Sequence, residues 1–289
     1  MDILTTADGL QRCTGGVLVP TMGALHAGHE ELIRHAVHLR DAEALAGPVV
    51  VSVFVNPAQF DERTDFDKYP RTLDADAATC ERLGADLVFA PDVEVVYPGG
   101  SAGRELRRSV CLPDVARDKD LEDRYRPGHF EGVYRVCRRL FELVRPAAAC
   151  FGEKDWQQLK LNDAMSRQEN LGVHVVGVPT VRENGERPGL ALSSRNVHLT
   201  PADRGAALSL SHAIRAAQRL GQQGAGPGEC EDEARRVMFA AGARVEYAAV
   251  RDADTCADPL PDRPARVLVA ARVGSTRLID NDAWPGSPD

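Results

Sequence analysis

Residues 19–29, VPTMGALHAGH, hold the most informative pattern in the chain. An apolar run ends there and a helical pattern begins, which predicts a strand-to-helix junction. His26 and His29 are three residues apart and would share one face of the first helical turn. That end of a helix carries free N–H groups and the positive pole of the dipole, so it favours anions. Because Gly28 has no side chain to block close approach, the junction predicts a phosphate-binding site.

Two other interpretations of the histidine pair stay open on spacing alone. The two side chains could be ordinary surface residues, or two ligands of a metal ion. A zinc site needs a third ligand at a recognisable spacing. The nearest other histidines, His35 and His38, continue along the same predicted helix. We therefore expect no metal site at this position.

Composition limits the class of protein. The 289 residues are 43% hydrophobic, enough for one large or two modest domains. With 35 basic and 43 acidic residues the net charge is −8, which argues against broad nucleic-acid binding. The seven cysteines are scattered without a CxxC pair, which favours a reduced, cytoplasmic location. Neither a signal-peptide pattern nor an apolar run of roughly 20 residues is visible, so we expect no membrane association.

Apolar runs alternate with helical patterns through the first two thirds of the chain. Strands are predicted at 16–20, 49–55, 86–90, 148–151 and 173–178, and helices at 30–46, 73–83, 132–144 and 156–169. This alternation predicts a parallel sheet, whose ligands bind at the carboxyl ends of the strands. After Val181 the pattern changes. Helices predicted at 201–220 and 230–241 precede strands at 245–250, 266–273 and 276–280, which suggests a separate α+β domain.

Three further segments carry chemistry at predicted strand ends or at the domain junction. Asn56 and Gln59 offer neutral amides that can bind a hydroxyl or a carboxylate, although for this segment alone a polar turn ended by proline is the favoured interpretation. Lys154 offers a compact charge for a phosphate within a segment that otherwise looks like a solvated helix start. Ser193, Ser194 and Arg195 offer two hydroxyls and a fixed charge, or simply a surface cap.

Taken together and in this order, the segments resemble the pantothenate synthetase family of pantoate–β-alanine ligases. The matching stretches are VPTMGALHAGH (19–29), VSVFVNPAQF (51–60), YPRTLDAD (69–76), FAPDVEVVYPGG (89–100), RPGHFEGV (126–133), FGEKDWQQL (151–159), GVPTVRE (177–183), ALSSRN (191–196) and LVAARVGSTRLIDN (268–281). The resemblance implies an α/β fold of the HIGH-motif nucleotidyl-transferase superfamily. A Rossmann-like parallel sheet with helices on both faces would occupy residues 1–181, and a smaller α+β C-terminal lid domain residues 182–289.

The resemblance also implies a reaction and its partners. ATP with Mg²⁺ would activate pantoate as pantoyl adenylate, and β-alanine would then displace AMP to give pantothenate. The implied partners are these small molecules and a second copy of the chain in a homodimer, with no nucleic acid and no membrane.

Residue roles follow from the family's motifs. His29, His26, Lys154 and Arg195 would be catalytic, with His29 as the proton donor. Gln59, Gln158 and Asn56 would hold substrate, and Leu192–Arg195 would correspond to the family's version of the KMSKS loop. The nucleotide would contact Met22, Gly23, Ala24, Leu25, His26, Ala27, Gly28, His29, Gly152, Glu153, Lys154, Asp155, Val181, Leu192, Ser193, Ser194 and Arg195.

The sequence departs from the family's usual pattern in a few places. Glu30 and Glu31 follow the histidine motif, where an apolar and a small polar residue are usual, and they bring two negative charges near the expected triphosphate. Arg135 stands where threonine is common. Two alternatives in the same superfamily remain at this point: a nucleotidylyltransferase that acts on a phosphorylated acceptor, and a non-catalytic ATP-binding relative. A tRNA-charging enzyme is disfavoured by the acidic charge.

Overall fold

The computed structural model describes residues 1–59, 66–67, 69–99, 109–185 and 188–285. The chain forms two compact units. The first comprises Met1–Arg117, Arg126–Gly152 and Gln158–Val178, and the second Asp118–Tyr125, Glu153–Gln157 and Pro179–Asp289. Among the described residues, none of the helices has the length and apolar character needed to cross a membrane.

The first unit is built on a six-stranded parallel sheet, as the alternating pattern predicts. Its strands are β1 (Asp2–Leu4), β2 (Val17–Thr21), β3 (Val49–Val53), β4 (Leu87–Phe89), β5 (Ala148–Gly152) and β6 (His174–Val178). They lie in the order β1-β4-β3-β2-β5-β6. The chain therefore runs outward from β2 through β3 to β4, then returns to the other side of β2 for β5 and β6. This reversal creates a topological switch point between β2 and β5, where open α/β sheets bind ligands.

The helices in chain order are α1 (Ala27–Ala42), α2 (Leu73–Arg82), α3 (Val93–Val96), α4 (Glu122–Tyr125), α5 (His129–Val144), α6 (Trp156–Gln168), α7 (Pro201–Gln222) and α8 (Pro227–Ala240). Short 3₁₀ turns occupy Leu10–Cys13, Pro57–Gln59, Asp114–Ala116, Glu153–Asp155, Glu183–Gly185 and Ser194–His198.

Both faces of the parallel sheet are covered, which confirms the expected fold class. On one face, Val17 and Val51 pack with Ile33 of α1 and Cys80 of α2 in a single apolar cluster. The alternate strand residues point the other way, as the two-residue period of a strand requires. On that second face, Phe141 of α5 meets Phe151 of β5 edge-on, with ring centroids 6.3 Å apart. Burial on both faces explains why the strands read as continuous apolar runs.

The structure differs from the sequence expectations mainly at element ends. Helix α1 begins at Ala27 rather than Glu30, because His26 caps it, and it ends at Ala42, shortly before Ala44 adopts a left-handed φ of 49°. Strand β1 was not predicted. It has three residues and pairs only with β4 at the edge of the sheet, so it is too short to show a period.

The second unit holds a three-stranded antiparallel sheet. Its strands are β7 (Arg244–Asp252), β8 (Ala265–Val273) and β9 (Thr276–Trp284), in that order. Val273 pairs directly with Thr276, so Gly274 and Ser275 form the predicted two-residue hairpin turn. Helices α7 and α8 supply the remaining core with small and apolar side chains, among them Ile214 and Met238. Both helices begin with proline, whose fixed φ suits the first helical position.

A buried ion pair joins the start of the second unit's C-terminal segment to β9. Both nitrogens of the Arg182 guanidinium donate to the Asp280 carboxylate, at 2.7 and 2.6 Å. The two side chains are 5% and 2% exposed. Removing one partner from such a pair leaves a buried charge without compensation, which costs more than the pair itself contributes.

We expect Arg182→Met to lower the free energy of unfolding of the second unit by about 3–5 kcal/mol. The matched control is Arg204→Met, since Arg204 pairs with Glu183 at a surface where its side chain is 49% exposed. That change should cost about 0–1 kcal/mol. Both tryptophans, Trp156 and Trp284, lie in the second unit, so urea unfolding followed by their fluorescence reports on it. Equal, small effects of the two substitutions would contradict this account.

Candidate active site

The turn between β2 and α1 is tightly defined by backbone geometry. Gly23 and Ala24 both have left-handed backbones, with φ of 80° and 51°. The Thr21 hydroxyl accepts from the Gly23 N–H at 3.1 Å and donates to the Ser52 carbonyl of β3 at 2.7 Å. The turn is thus anchored to the neighbouring strand before the helix begins.

Asp76 of α2 holds the second half of this turn. Its carboxylate accepts from the backbone N–H groups of Ala24 and Leu25, at 3.1 and 2.8 Å, and from the Thr72 hydroxyl at 3.1 Å. Asp76 is only 3% exposed. A Cβ on Gly23 would lie 3.0 Å from the Asp76 carboxylate and from Val53, so glycine is required both by φ and by space. Sequence reasoning did not single out Asp76, because its partners are 51 and 52 residues away.

The two histidines of the motif form the cap of α1. His26 is the N-cap residue, and its Nδ1 accepts from the Gly28 N–H at 3.1 Å. In return, His29 Nδ1 accepts from the His26 N–H at 3.3 Å. The two rings lie 4.1 Å apart. An imidazole nitrogen that accepts a hydrogen bond carries no proton, so both rings are neutral with their proton on Nε2.

The two glutamates that depart from the family pattern lie beside arginines. The Glu30 carboxylate is 2.7 Å from Arg34 and 3.0 Å from Arg82 of α2, and Glu31 is 3.1 Å from Arg34. Their negative charges are therefore locally balanced. Glu30 also lies in the first turn of α1, where the helix dipole favours an acid.

Asn56 and Gln59 meet at the end of β3. The Asn56 Nδ2 donates to the Gln59 Oε1 at 3.0 Å and to the Gly132 carbonyl of α5 at 3.1 Å. Gln59 Nε2 lies 3.1 Å from the Met22 sulfur, which brings the amide pair next to the β2–α1 turn. A Cβ on Gly132 would lie 2.3 Å from the Ala58 carbonyl, so only glycine lets α5 pack this closely against the 57–59 turn.

His129, at the start of α5, supports the same turn. It is 4% exposed, and its Nδ1 lies 3.3 Å from the Gln59 carbonyl. Its Nε2 lies 2.9 Å from an Arg126 guanidinium nitrogen. If that nitrogen accepts from the arginine, Nδ1 holds the ring proton and donates to Gln59. The motif at 126–133 thereby supports the 57–59 turn, which contains the predicted site residue Gln59.

In the second unit, the Glu153–Asp155 turn is held against β8 and β9. The Asn281 Nδ2 donates to the carbonyls of Glu153 and Lys154, both at 2.9 Å. The Arg266 guanidinium lies over the Trp156 ring at 3.6 Å and 3.4 Å from the Glu153 carboxylate. Burial lowers the pKa of Arg266, and the nearby Glu153 charge opposes that shift. The backbone around Lys154 is thus fixed by strand residues that are distant in sequence.

The other residues of the second unit that the sequence predicts to contact the nucleotide lie between Val181 and Arg195. Leu192 N–H donates to the Val181 carbonyl at 2.9 Å, so these two predicted residues are adjacent. Ser193 caps the short turn that follows, accepting from the Arg195 N–H at 3.3 Å, and Arg195 itself is exposed. The Lys154 Nζ is 3.3 Å from the Asp155 carboxylate, with 16% of the lysine side chain exposed.

The structure therefore distributes the predicted site residues over both units. The first unit contains Met22, Gly23, Ala24, Leu25, His26, Ala27, Gly28, His29, Asn56, Gln59, Gly152 and Gln158. The second contains Glu153, Lys154, Asp155, Val181, Leu192, Ser193, Ser194 and Arg195. Within the first unit, the histidine motif follows β2, the amide pair follows β3 and Gly152 ends β5. These are three neighbouring strands at the switch point.

The cysteines take no part in this arrangement. None of the seven is part of a disulfide bond. Burial raises the pKa of Cys80, Cys137 and Cys150 to about 12 in each case, so these thiols stay protonated and unreactive.

A parallel α/β sheet with an HxGH motif capping the helix after its central strand defines a Rossmann-like protein with an anion-favouring junction. Comparison with known proteins narrows this class. A model of the pantoate-beta-alanine ligase family matches residues 5–283. The chain belongs to the pantoate–β-alanine ligase family, and it accordingly joins pantoate to β-alanine in pantothenate biosynthesis.

Individual relatives agree with this assignment over nearly the whole chain. The pantothenate synthetase of Nocardioides sp. is 50% identical over 268 residues, which cover 91% of this chain and 77% of that protein. The structure of pantothenate synthetase from Thermus thermophilus superposes with a TM-score of 0.85 at 41% identity, covering 100% of both chains. A pantoate-beta-alanine ligase from Francisella tularensis, complexed with beta-gamma ATP and beta-alanine, gives a TM-score of 0.75 at 29% identity, covering 98% of this chain and 97% of that one.

The role of His26 as helix cap can be tested separately from the phosphate contact predicted from the sequence. We expect His26→Ala to lower the free energy of unfolding by about 1 kcal/mol through loss of the N-cap acceptor. His26→Asn keeps an N-cap acceptor of the preferred kind and should stay within about 0.5 kcal/mol of the native protein. Because the first unit contains neither tryptophan, unfolding is followed by circular dichroism at a helix-sensitive wavelength. Equal destabilisation by the two substitutions would show that the cap hydrogen bond is not what His26 contributes.

Proposed function

We propose that the ligase reaction runs in two steps, with the triphosphate of ATP at the N-terminus of α1. In the first step a pantoate carboxylate oxygen attacks the α-phosphorus, and the bond from that phosphorus to the pyrophosphate oxygen breaks. In the second step the β-alanine amine attacks the acyl carbon of pantoyl adenylate, and the bond from that carbon to the AMP oxygen breaks. The attacking amine loses a proton to solvent as the amide forms, and AMP leaves with the electron pair of the broken bond. The two steps are needed because AMP leaves an acyl carbon far more readily than oxide does.

The observation that carries this proposal is the cap of α1. His26 and His29 spend their Nδ1 atoms on the helix start, which fixes the proton of each ring on Nε2. A neutral imidazole with a fixed Nε2–H is a hydrogen-bond donor for a phosphate oxygen. The helix N-terminus adds the partial positive charge of its N–H groups. We propose that both histidines donate hydrogen bonds to the phosphates through Nε2–H, and that His29 is the proton donor in the hydrogen bond to the departing pyrophosphate, with the proton remaining on the ring.

The amides at the end of β3 support a site for pantoate. Because the Gln59 Oε1 already accepts from Asn56, its Nε2 is the group that Gln59 offers to a substrate. An N–H donor suits the carboxylate and hydroxyl oxygens of pantoate. We propose that Gln59 and Gln158 hold pantoate, that Gln59 also lies near β-alanine, and that Asn56 acts by holding Gln59.

The family resemblance supports the other residue roles. We propose that Lys154 and Arg195 neutralise charge on the phosphates as the bond to pyrophosphate lengthens. Such stabilisation is commonly the largest single catalytic contribution. We propose that Met22–His29, Gly152–Asp155, Val181 and Leu192–Arg195 contact the nucleotide.

We propose that Mg²⁺ arrives as part of the ATP substrate. Among the described residues, no group of three or more His, Cys, Asp and Glu side chains is placed to hold a metal ion. Phosphate oxygens and water are the usual ligands of nucleotide-bound Mg²⁺. There the ion would lower the negative charge that the attacking carboxylate meets.

We further propose a homodimer in the cytoplasm, as the family resemblance and the free thiols suggest. Light scattering at micromolar concentration should give about twice the 31.3 kDa mass of the chain, and a particle of the single mass would contradict the dimer.

The product assay tests the reaction itself. We expect AMP and pyrophosphate to form in amounts equal to pantothenate when ATP–Mg²⁺, pantoate and β-alanine are all present. With pantoate alone, pyrophosphate should stop at about one equivalent per active site, because the adenylate stays bound. ADP and phosphate as products, or continuous pyrophosphate release without β-alanine, would overturn the two-step scheme.

Removing the Lys154 charge should impair the first step selectively. We expect Lys154→Met to slow pantoate-dependent pyrophosphate release by roughly 100-fold or more. The fold should stay intact, because the turn is held through the Lys154 carbonyl rather than its ammonium group. Arg167→Met is the control, since Arg167 is another cation, lies near the end of helix α6 and has a side chain that is 72% exposed. Near-normal turnover of Lys154→Met would remove Lys154 from the mechanism.

A further inference from the structure

Tyr97 directly follows helix α3 and belongs to the motif at 89–100. The reaction proposed above assigns no role to any residue of this motif. Its side chain is 0% exposed. Its hydroxyl donates to the Asn56 Oδ1 at 2.9 Å. Phe54 packs against the edge of its ring, with centroids 6.1 Å apart. The hydroxyl of this buried side chain contacts the amide that holds Gln59. Packing alone accounts for the ring but does not account for the hydroxyl.

The hydrogen bonds of Asn56 account for its whole amide. Its Oδ1 accepts from the Tyr97 hydroxyl and from the Ala58 N–H at 3.2 Å. Its Nδ2 donates to the Gln59 Oε1 and to the Gly132 carbonyl. An amide has two acceptor sites and two donor hydrogens, and all four are used. With Asn56 1% exposed, water does not compete for them.

These hydrogen bonds fix the orientation of the Asn56 amide, and Asn56 in turn fixes the orientation of the Gln59 amide. A flipped Asn56 would set its NH₂ against the Ala58 N–H, donor against donor, and its oxygen against the Gly132 carbonyl and the Gln59 Oε1. Asn56 therefore keeps its NH₂ toward Gln59. The Gln59 oxygen therefore accepts from Asn56, and its Nε2 is the donor: one hydrogen is directed to the Met22 sulfur at 3.1 Å, and the second can be offered to a substrate oxygen.

Tyr97 can serve this purpose because it remains a donor. Burial is the main reason that the pKa of Tyr97 lies well above its ordinary value, with the charge of Arg135 and the Asn56 hydrogen bond acting in the opposite direction. The hydroxyl therefore keeps its proton at neutral pH. A permanent donor at this place favours the Asn56 orientation that presents its oxygen to Tyr97.

We propose that Tyr97 is a positioning residue for the acid substrate: through Asn56 it fixes the Gln59 amide with its N–H group toward the substrate's oxygen atoms. The inference rests on the proposed role of Gln59 in holding pantoate. It assigns Tyr97 no contact with ATP and none with the reacting atoms. Loss of the Tyr97 hydroxyl should therefore lower the affinity for the hydroxy acid and leave the affinity for the nucleotide unchanged.

The test is Tyr97→Phe, which removes only the hydroxyl. The KM for pantoate should rise about threefold to tenfold, the effect of one lost buried hydrogen bond. The KM for ATP should change less than about twofold. Tyr134→Phe is the matched control. Tyr134 is also buried in the first unit, but its hydroxyl donates to Glu169 and has no bond to Asn56.

A double-mutant cycle with Gln59→Ala separates positioning from general loosening of the structure. If Tyr97 acts through Gln59, removal of the hydroxyl adds nothing to the pantoate KM once the Gln59 amide is gone. If the two effects multiply instead, Tyr97 acts by another route and the inference is wrong. Equal pantoate KM values for the Tyr97→Phe and Tyr134→Phe proteins would also overturn it.

An assay of the wild-type protein separates failure of the Tyr97 inference from failure of the proposed function. Pantoate-dependent pyrophosphate release by the wild-type chain establishes that the acid site exists. Its absence would remove the proposed function itself, whatever Tyr97 does. With release established, the variants decide on Tyr97 alone.

Discussion

The candidate site residues of the first unit depend on one constraint: the Asp76 carboxylate accepts hydrogen bonds from the backbone N–H groups of Ala24 and Leu25. Ala24 has a left-handed backbone that costs roughly 1–2 kcal/mol. Hydrogen bonds to a charged group contribute about 1.5–3 kcal/mol each, so two of them outweigh that strain. Without the carboxylate, the chain would have little reason to turn here and deliver His26 to the cap position. The start of α1 is thus set by a residue of α2.

From this turn the local order extends along the ends of the neighbouring strands. The Thr21 hydroxyl ties the turn to β3 through Ser52, and β3 leads to Asn56 and Gln59. Gln59 in turn reaches back to Met22. The helix start that we propose binds phosphate and the amides that we propose bind the acid are therefore parts of one hydrogen-bonded arrangement. Adenylation needs a nucleotide and a carboxylate to be brought together, and in our proposal this arrangement supplies a donor for each within the same unit.

The sequence predicted helices and strands well where burial of one face gives the apolar residues a regular spacing. It predicted poorly those features that depend on one contact between residues distant in sequence. The apolar run at 49–55 predicted β3, whereas the helix predicted from residue 30 begins at Ala27, because the His26 side chain caps it. The three-residue β1 left no periodic signal. Asp76, Tyr97, Asn281 and Arg266 were missed as contributors to the site, because each acts across 37 or more residues on a segment that sequence proximity does not reveal. The contact between Glu30 and Arg82 likewise needed the structure, since the two residues are 52 positions apart in the sequence.

The measurement that tests the account most directly is nuclear magnetic resonance of the protein with ¹⁵N-labelled histidine, titrated with ATP–Mg²⁺. The chain has eight histidines, so each side chain can be assigned by substitution. The account predicts that His26 and His29 show unprotonated Nδ1 and protonated Nε2 before ATP is added. On addition of ATP, their Nε2–H signals should shift while those of His174 and His212 stay in place. Protons on Nδ1 in the free protein, or an ATP response that spares both His26 and His29, would contradict the placement of the phosphates at the start of α1.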